Sequence, residues 1–254
     1  MSMELPIAAC FDFDVLCEDD EVLALSKAAP LLVHPTGPKQ EPSLWHGVRE
    51  LLAYELACGG QVSFINRLDR ETSGVILVAK TAGAAGELGR AMQERRLEKE
   101  YLALVVGHPD WEVALCAEPL RRMEEVAPTR IHVRQCCHPE GKASRTGFRV
   151  LRRLAARGAM PPLALVQCFP RTGRMHQIRV HLAHLGFPIL GDKIYGGDES
   201  CYLDFMASGW TEELAARLHF PRQALHASAL SFPHGGRLVR VQAPLPADMA
   251  ALLH

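Results

Sequence analysis

The hydrophobic positions of this chain fall mostly into short runs closed by Gly, Pro or charged residues, and only a few stretches carry helical spacing. Val22-Leu23-Ala24-Leu25 reads as a strand after the acidic turn Glu18-Asp19-Asp20-Glu21. A proline-rich loop follows from Pro30 to Pro42, with a small strand at Leu31-Leu32-Val33. Over residues 44–56 the spacing becomes helical: Leu44, Val48, Leu51, Leu52 and Leu56 share a side, and Ser43 is placed to cap the start. Val75-Ile76-Leu77-Val78-Ala79 is a strand, and Thr81 is placed to cap an Ala-, Glu- and Arg-rich helix over roughly 84–95.

Residues 101–106 form the clearest strand, closed by Gly107-His108-Pro109. Residues 112–160 read as several short strands with basic turns, one of them near 146–151, and residues 163–168 as another strand ending at Pro170. The stretch 175–185 is helical and stops at Gly186-Phe187-Pro188. Residues 198–220 predict an insertion with helix at 210–218, and strands follow near 225–232 and 237–243. No repeat, low-complexity tract or linker divides the chain. The pattern predicts an α+β protein of one compact domain.

Composition supports that size of core: 254 residues, 48% of them hydrophobic. The net charge of −1 argues against a polyanionic partner until its distribution is examined. Residues 1–60 carry 10 acids against 3 bases, residues 61–200 carry 15 against 21, and the remainder 4 against 4. The basic excess is mostly arginine, including Arg121, Arg122, Arg130, Arg134, Arg145, Arg149, Arg152, Arg153, Arg171, Arg174 and Arg179. Guanidinium forks match phosphate, so this segment is a candidate nucleic-acid footprint, with solvated strand and helix faces as the plainer alternative. Eight cysteines without a CxxC pair suit buried thiols in a reducing cytoplasm. Residues 1–10 lack a basic head followed by an apolar run, and no apolar stretch reaches membrane-spanning length, so neither a signal peptide nor a membrane span is expected.

The candidate chemistry begins at Asn66-Arg67-Leu68-Asp69-Arg70-Glu71-Thr72-Ser73-Gly74. A carboxylate between two arginines stays ionised and nucleophilic, and a Thr-Ser-Gly turn into a β-branched strand would fix it on a rigid edge. The second segment runs from Arg171 to Leu182. A glycine turn there opens a helix on which His176, Arg179 and Ala183 share a side, with Arg174 and Gln177 near its N-terminus, where anions are favoured. His176, His181 and His184 suggest metal ligands, but the interleaved arginines would repel a cation, so no metal is expected.

These segments, with Glu98-Lys99-Glu100-Tyr101, Gly191-Asp192-Lys193-Ile194-Tyr195-Gly196 and Leu225-His226-Ala227, occur in the order seen in the RluA-type RNA pseudouridine synthases, which the chain resembles over roughly residues 11–245. Two positions depart from the family pattern: Asn66 stands where His is usual, and Ser26-Lys27-Ala28-Ala29-Pro30 replaces an Asn-Lys-Pro-x-Gly loop. Both bear on loop geometry and substrate fit, not on the nucleophile.

The resemblance implies a mixed, mostly antiparallel sheet in two halves with flanking helices and a central RNA-binding cleft. It implies a single catalytic domain over 11–250 without a separate N-terminal RNA-binding domain, acting as a cytoplasmic monomer on ribosomal or transfer RNA and needing no cofactor. Asp69 would be the catalytic carboxylate, paired with Arg179. Tyr101 would stack on the flipped base and serve as the base that removes a proton. Arg67 would fill the vacated stack, and Arg174, His176 and Gln177 would contact RNA. The residues leave attack at C1′, attack at C6 and a glycal route equally open. Without the resemblance, Tyr101 reads as a packing residue, Arg179 as a surface ion pair, His226 as a core histidine and 191–196 as a turn with Asp192 as a structural acceptor. The rival readings are a catalytically silent RNA-binding or assembly factor on the same fold, and a sugar hydrolase. The latter requires a second carboxylate that Glu71 is poorly placed to supply.

Overall fold

The computed structural model describes residues 13–35 and 42–254. The segment before Phe13, and residues 36–41 of the proline-rich loop, lie outside the described residues. The chain opens with the hairpin β1 (Phe13–Glu18) and β2 (Val22–Lys27), then helices α1 (Leu44–Leu51) and α2 (Ala53–Ala57), the short β3 (Ser63–Phe64) and β4 (Ser73–Ala79). Helix α3 (Ala82–Gln93) leads into β5 (Glu98–Val106), followed by β6 (Val113–Cys116), β7 (Leu120–Arg122), β8 (Gln135–Cys137), β9 (Thr146–Leu154) and β10 (Leu163–Pro170). Helices α4 (Gln177–His184), α5 (Glu199–Ser208) and α6 (Glu212–Leu218) precede β11 (Leu225–His234), β12 (Arg237–Gln242) and α7 (Ala247–Ala250). No helix among the described residues is long and apolar enough to cross a membrane.

Ten strands form one sheet in the order β1-β2-β4-β11-β5-β10-β9-β6, with β3 beside β4 and β12 beside β11; β7 and β8 form a separate ribbon. The pairings are antiparallel except that of β4 with β11. That parallel junction consists of His226 against Ser73 and Ala227 against Gly74. The expected two halves are thus two antiparallel sections joined at one short seam. Gly74 is required there: its φ is +113°, and a Cβ would sit 2.2 Å from the Ala227 carbonyl oxygen.

The uninterrupted apolar run of β4 reflects burial on both faces. Val75 and Leu77 pack with Ala84 and Leu88 of α3, while Ile76 and Val78 pack with Leu44 and Val48 of α1. The strand is therefore held between two helices, and the turn preceding it has a rigid base. The second half has its own core, in which β5 and β10 pack with Ile178 and Leu182 of α4.

Two expectations changed in detail. The predicted helix over 44–56 is broken at Leu52, because only Leu44, Val48 and Leu52 face the core while Leu51 is 46% exposed. Ser43 occupies the cap position, but its hydroxyl bonds His46 Nδ1 at 2.9 Å instead of a helix amide. Thr81 does cap α3, accepting from the Ala84 amide, and the helix begins at Ala82.

Candidate active site

Asp69 lies in the turn between β3 and β4, and its own carbonyl accepts from the Thr72 amide. Asn66 ties this turn to the strand: its Nδ2 donates to the Val75 carbonyl at 3.0 Å and its Oδ1 accepts from the Leu77 amide at 2.8 Å. The departure from the family pattern at this position is a backbone clamp that an amide satisfies at both ends. On the other side, Lys27 Nζ donates to the carbonyls of Ala28, Leu31 and Arg70. Burial and the charge of Arg222 push Lys27 down to about 7, with Asp69 opposing, yet three acceptors match the three donors of an ammonium. The departing Ser26–Pro30 loop is anchored to the Asp69 turn through that ammonium.

Arg179 reaches Asp69 from α4, a helix too short to be amphipathic in any useful sense and buried along most of its length. Its Nη1 donates to Asp69 Oδ2 at 2.8 Å, while Nε and Nη2 form a fork on Asp192 at 2.7 and 2.9 Å. Asp192 is fully buried and also accepts from the amides of Ile194 and Tyr195. A single guanidinium therefore serves two carboxylates, with a bidentate fork on one of them that a Lys ammonium does not form. Gln223 Nε2 adds a bond to Asp69 Oδ2 at 3.2 Å and another to Thr72 Oγ1.

Burial raises the pKa of Asp69, but the charge of Arg179 and the hydrogen bonds from Arg179 and Gln223 outweigh it and hold the carboxyl below its ordinary range. Both bonds to Asp69 among the described residues fall on Oδ2, which leaves Oδ1 for a substrate. The side chain is about a third exposed, opening into a cavity of about 730 Å³. Tyr101, Arg67, Arg70, Lys99, Arg174 and His176 line it with Asp69. The sequence-predicted residues Asp69, Tyr101 and Arg179 are thus brought to one cleft from the β3–β4 turn, β5 and α4.

The other expectations divide. Arg67 and Arg174 are exposed at the cleft, as an RNA contact requires. His176 is in the cleft wall, and burial followed by the charge of Arg179 pushes its pKa down to about 4, so the imidazole is neutral. Gln177 is buried and occupied: Oε1 accepts from Thr172 and the Arg174 amide, and Nε2 donates to the Arg145 carbonyl and Thr146. It holds the loop that presents Arg174 and has no free donor for RNA. Burial, then Asp69 and Cys168, raise the Tyr101 phenol, so the resting site holds it protonated.

The arginines of 121–153 do not line this cleft. Arg121 pairs with Glu125 and Glu140, Arg122 with Glu124, Arg134 with Glu199 and Arg153 with Glu112. Acids from the same excursion and its neighbours neutralise these four, while Arg130, Arg145, Arg149 and Arg152 make no salt bridge among the described residues, so the basic count of the segment overstated its footprint only in part. His181 is fully buried, bonded to Ser144 and Thr146, and belongs to the packing of α4. His226 bonds Ser73 and the Ala243 carbonyl, the core role expected for it. Glu71 is taken by Lys193 at 2.6 Å and by the Gln223 amide. The carboxylate sharing Arg179 with Asp69 is Asp192, which that same Arg keeps ionised against burial, so it cannot serve as a general acid.

Gln223 and Tyr195 had no role in the sequence reading. Nothing marks Gln223 in the chain; Tyr195 stood within the Gly191–Gly196 turn, but only the fold aims its hydroxyl at His176, 2.9 Å away.

Residues 21–184 match the family model described as RNA pseudouridylate synthase. The ribosomal large subunit pseudouridine synthase D of Nitrosomonas europaea is 37% identical over 97% of this chain and 66% of its own length. That of Xylella fastidiosa is 37% identical over 94% of this chain and 68% of its own. The chain thus spans about two thirds of the length of these relatives. Among solved structures, human RNA pseudouridylate synthase domain containing 1 superposes with a TM-score of 0.70 at 27% identity, covering 94% of this chain and 86% of that one.

Proposed function

The chain belongs to the RluA-type RNA pseudouridine synthases, and from that premise we propose that it isomerises a uridine of large-subunit ribosomal RNA to pseudouridine, with Asp69 as the catalytic carboxylate. The observation that carries this reading is the ionised Asp69, gripped through one oxygen by Arg179 with the other open to a cleft that Tyr101 lines. A protein that only bound RNA would have no use for a carboxylate held at such cost in desolvation.

The reaction breaks N1–C1′, turns the uracil over and joins C5 to C1′, while the C5 hydrogen leaves as a proton and N1 regains one. The composition is unchanged, so the balance requires neither an electron carrier nor a co-substrate. An ionised carboxylate with an unengaged oxygen suits attack at C1′, attack at C6 or stabilisation of an oxocarbenium on the glycal route. The uridine must leave its stack to reach it. Tyr101 then offers a face for the base. Its protonated phenol fits that task, and the proton-removing role anticipated for it would require a phenolate that burial opposes. Exposed Arg67, beside the nucleophile, is placed to fill the vacated stack, and Arg70, Lys99 and Arg174 give the cleft the positive lining a phosphate backbone needs.

Ribosomal RNA is chosen over transfer RNA because the matched relatives are named for the large ribosomal subunit. The continuous sheet from β1 to β6 supports a single catalytic domain. The test is release of tritium from [5-³H]uridine-labelled large-subunit RNA, together with pseudouridine mapping in cells lacking the protein. Asp69→Asn should abolish release while leaving RNA affinity within about tenfold, since only one of many contacts changes. Retained release would overturn the role of Asp69.

A further inference from the structure

A line of hydrogen bonds enters the cleft from behind. The Gln135 amide donates to Tyr195 Oη at 2.9 Å, and Tyr195 Oη lies 2.9 Å from His176 Nδ1. At the far side of the ring, His176 Nε2 stands 3.8 Å from Asp69 Oδ2. The ring is held edge-on to Tyr195, whose own ring also meets the Arg179 guanidinium, 5.1 Å from its centroid. His176 also sits at φ 56°, a left-handed backbone that a side chain adopts only when its surroundings enforce it.

Two independent arguments locate the imidazole proton. Tyr195 already accepts from Gln135, so its own hydrogen needs an acceptor, and Nδ1 is the one in reach among the described residues. Burial raises the phenol, so that hydrogen is present. At the other nitrogen, a bare lone pair facing the Asp69 carboxylate would be repelled, whereas an N–H is attracted. Both place the proton on Nε2. The charged and titratable groups facing this ring are Arg179, Asp69, Asp192 and Tyr195; burial and Arg179 prevail, and the ring stays neutral.

We propose that Tyr195 is a positioning residue for the reaction: held by the Gln135 amide, it donates to Nδ1 and fixes His176 as the Nε2–H tautomer, which presents a donor to an acceptor oxygen of the bound uridine beside Asp69. The substrate half of this statement rests on the function proposed above; the tautomer does not. A donor locked next to the nucleophile favours a substrate whose oxygen turns toward it, and a rotating imidazole, or one with its proton on Nδ1, would lose that selection.

The test is two-bond ¹H–¹⁵N correlation of histidine-labelled protein near neutral pH, with the His176 signals identified by their absence in His176→Gln. The unmodified protein should show the Nε2–H pattern, and Tyr195→Phe should move it to a mixture of tautomers. On [5-³H]uridine-labelled large-subunit RNA, Tyr195→Phe should lower kcat about tenfold, the loss of one hydrogen bond, with KM moved less. His176→Gln, which keeps an N–H donor, should retain more activity than His176→Leu, expected to lose about a hundredfold. An Nδ1–H or doubly protonated ring in the unmodified protein overturns the proposal. So does a Tyr195→Phe variant that loses activity with the tautomer unchanged, because Tyr195 would then act only through packing. Absence of tritium release by the unmodified protein would overturn the assigned reaction, and the spectrum would still decide the tautomer.

Discussion

Arg179 gives two nitrogens to Asp192 and one to Asp69, so the electrostatic partner of the candidate nucleophile is itself fixed by a carboxylate that never meets solvent. Asp192 orients the fork, and the orientation determines which Asp69 oxygen is engaged and which stays open. The amides of Ile194 and Tyr195, bonded to Asp192 Oδ1, complete the shell.

Asp192→Asn keeps the shape but removes the charge opposite a fully desolvated guanidinium. Stability should fall by roughly 3–5 kcal/mol, the cost of breaking a buried pair from one side. Denaturant unfolding reads this, and a loss below about 1 kcal/mol would show that Asp192 is dispensable to Arg179.

Arg179→Lys should lower kcat at least about a hundredfold, since an ammonium cannot form the fork on Asp192 that aims the third donor at Asp69. The pH profile adds a second reading. The Asp69 pKa is depressed in the folded protein, so its active, ionised form is complete above the ordinary carboxylate range and is lost only as pH falls through the lowered value. Its contribution to stability follows the same sign. In the Lys variant the acid limb of the rate profile should move to higher pH; an unmoved limb would remove Arg179 as the cause.

Arg174 is exposed at the cleft mouth, its Nε donating to the Ala143 carbonyl. Arg174→Ala should weaken RNA binding with a shallower salt dependence, the slope of log affinity against log salt falling by about one. An unchanged slope would count against a phosphate contact.

Gly74→Ala would press a Cβ against the Ala227 carbonyl at the seam between the two halves. A loss of roughly 3 kcal/mol or more is expected from overpacking and left-handed strain together. Thermal unfolding checks it, and a variant as stable as the parent would mean that the seam yields readily.

Much of the frame was legible because its signals are local. The strands at β2, β4, β5, β10 and β11 show as apolar runs between turn residues, and Thr81 marks the start of α3 in the expected way. The helix over 44–56 was overread because five leucine and valine positions at helical spacing do not reveal which of them will find a core. Leu51 did not. The basic excess of 121–153 overcounted four arginines for a related reason: charge was counted along the chain, while neutralisation occurs across it, as when Glu199 reaches Arg134.

The sequence by itself determined the type of chemistry. Asp69 in its turn, Tyr101 opening a strand and Arg179 on a short helix stand in a fixed order, and their resemblance to one family needs no coordinates. Only the tertiary structure decided how these groups are arranged. Arg179 is 110 positions from Asp69, Gln223 is 154, and Asp192 is tied to neither by any local pattern. Burial, hydrogen-bond direction and pKa belong to the space around a group, which the closing of the two sheet halves creates. That closure turned Gln177 from an RNA contact into a loop brace, kept Tyr101 protonated and aimed the Tyr195 hydroxyl at His176.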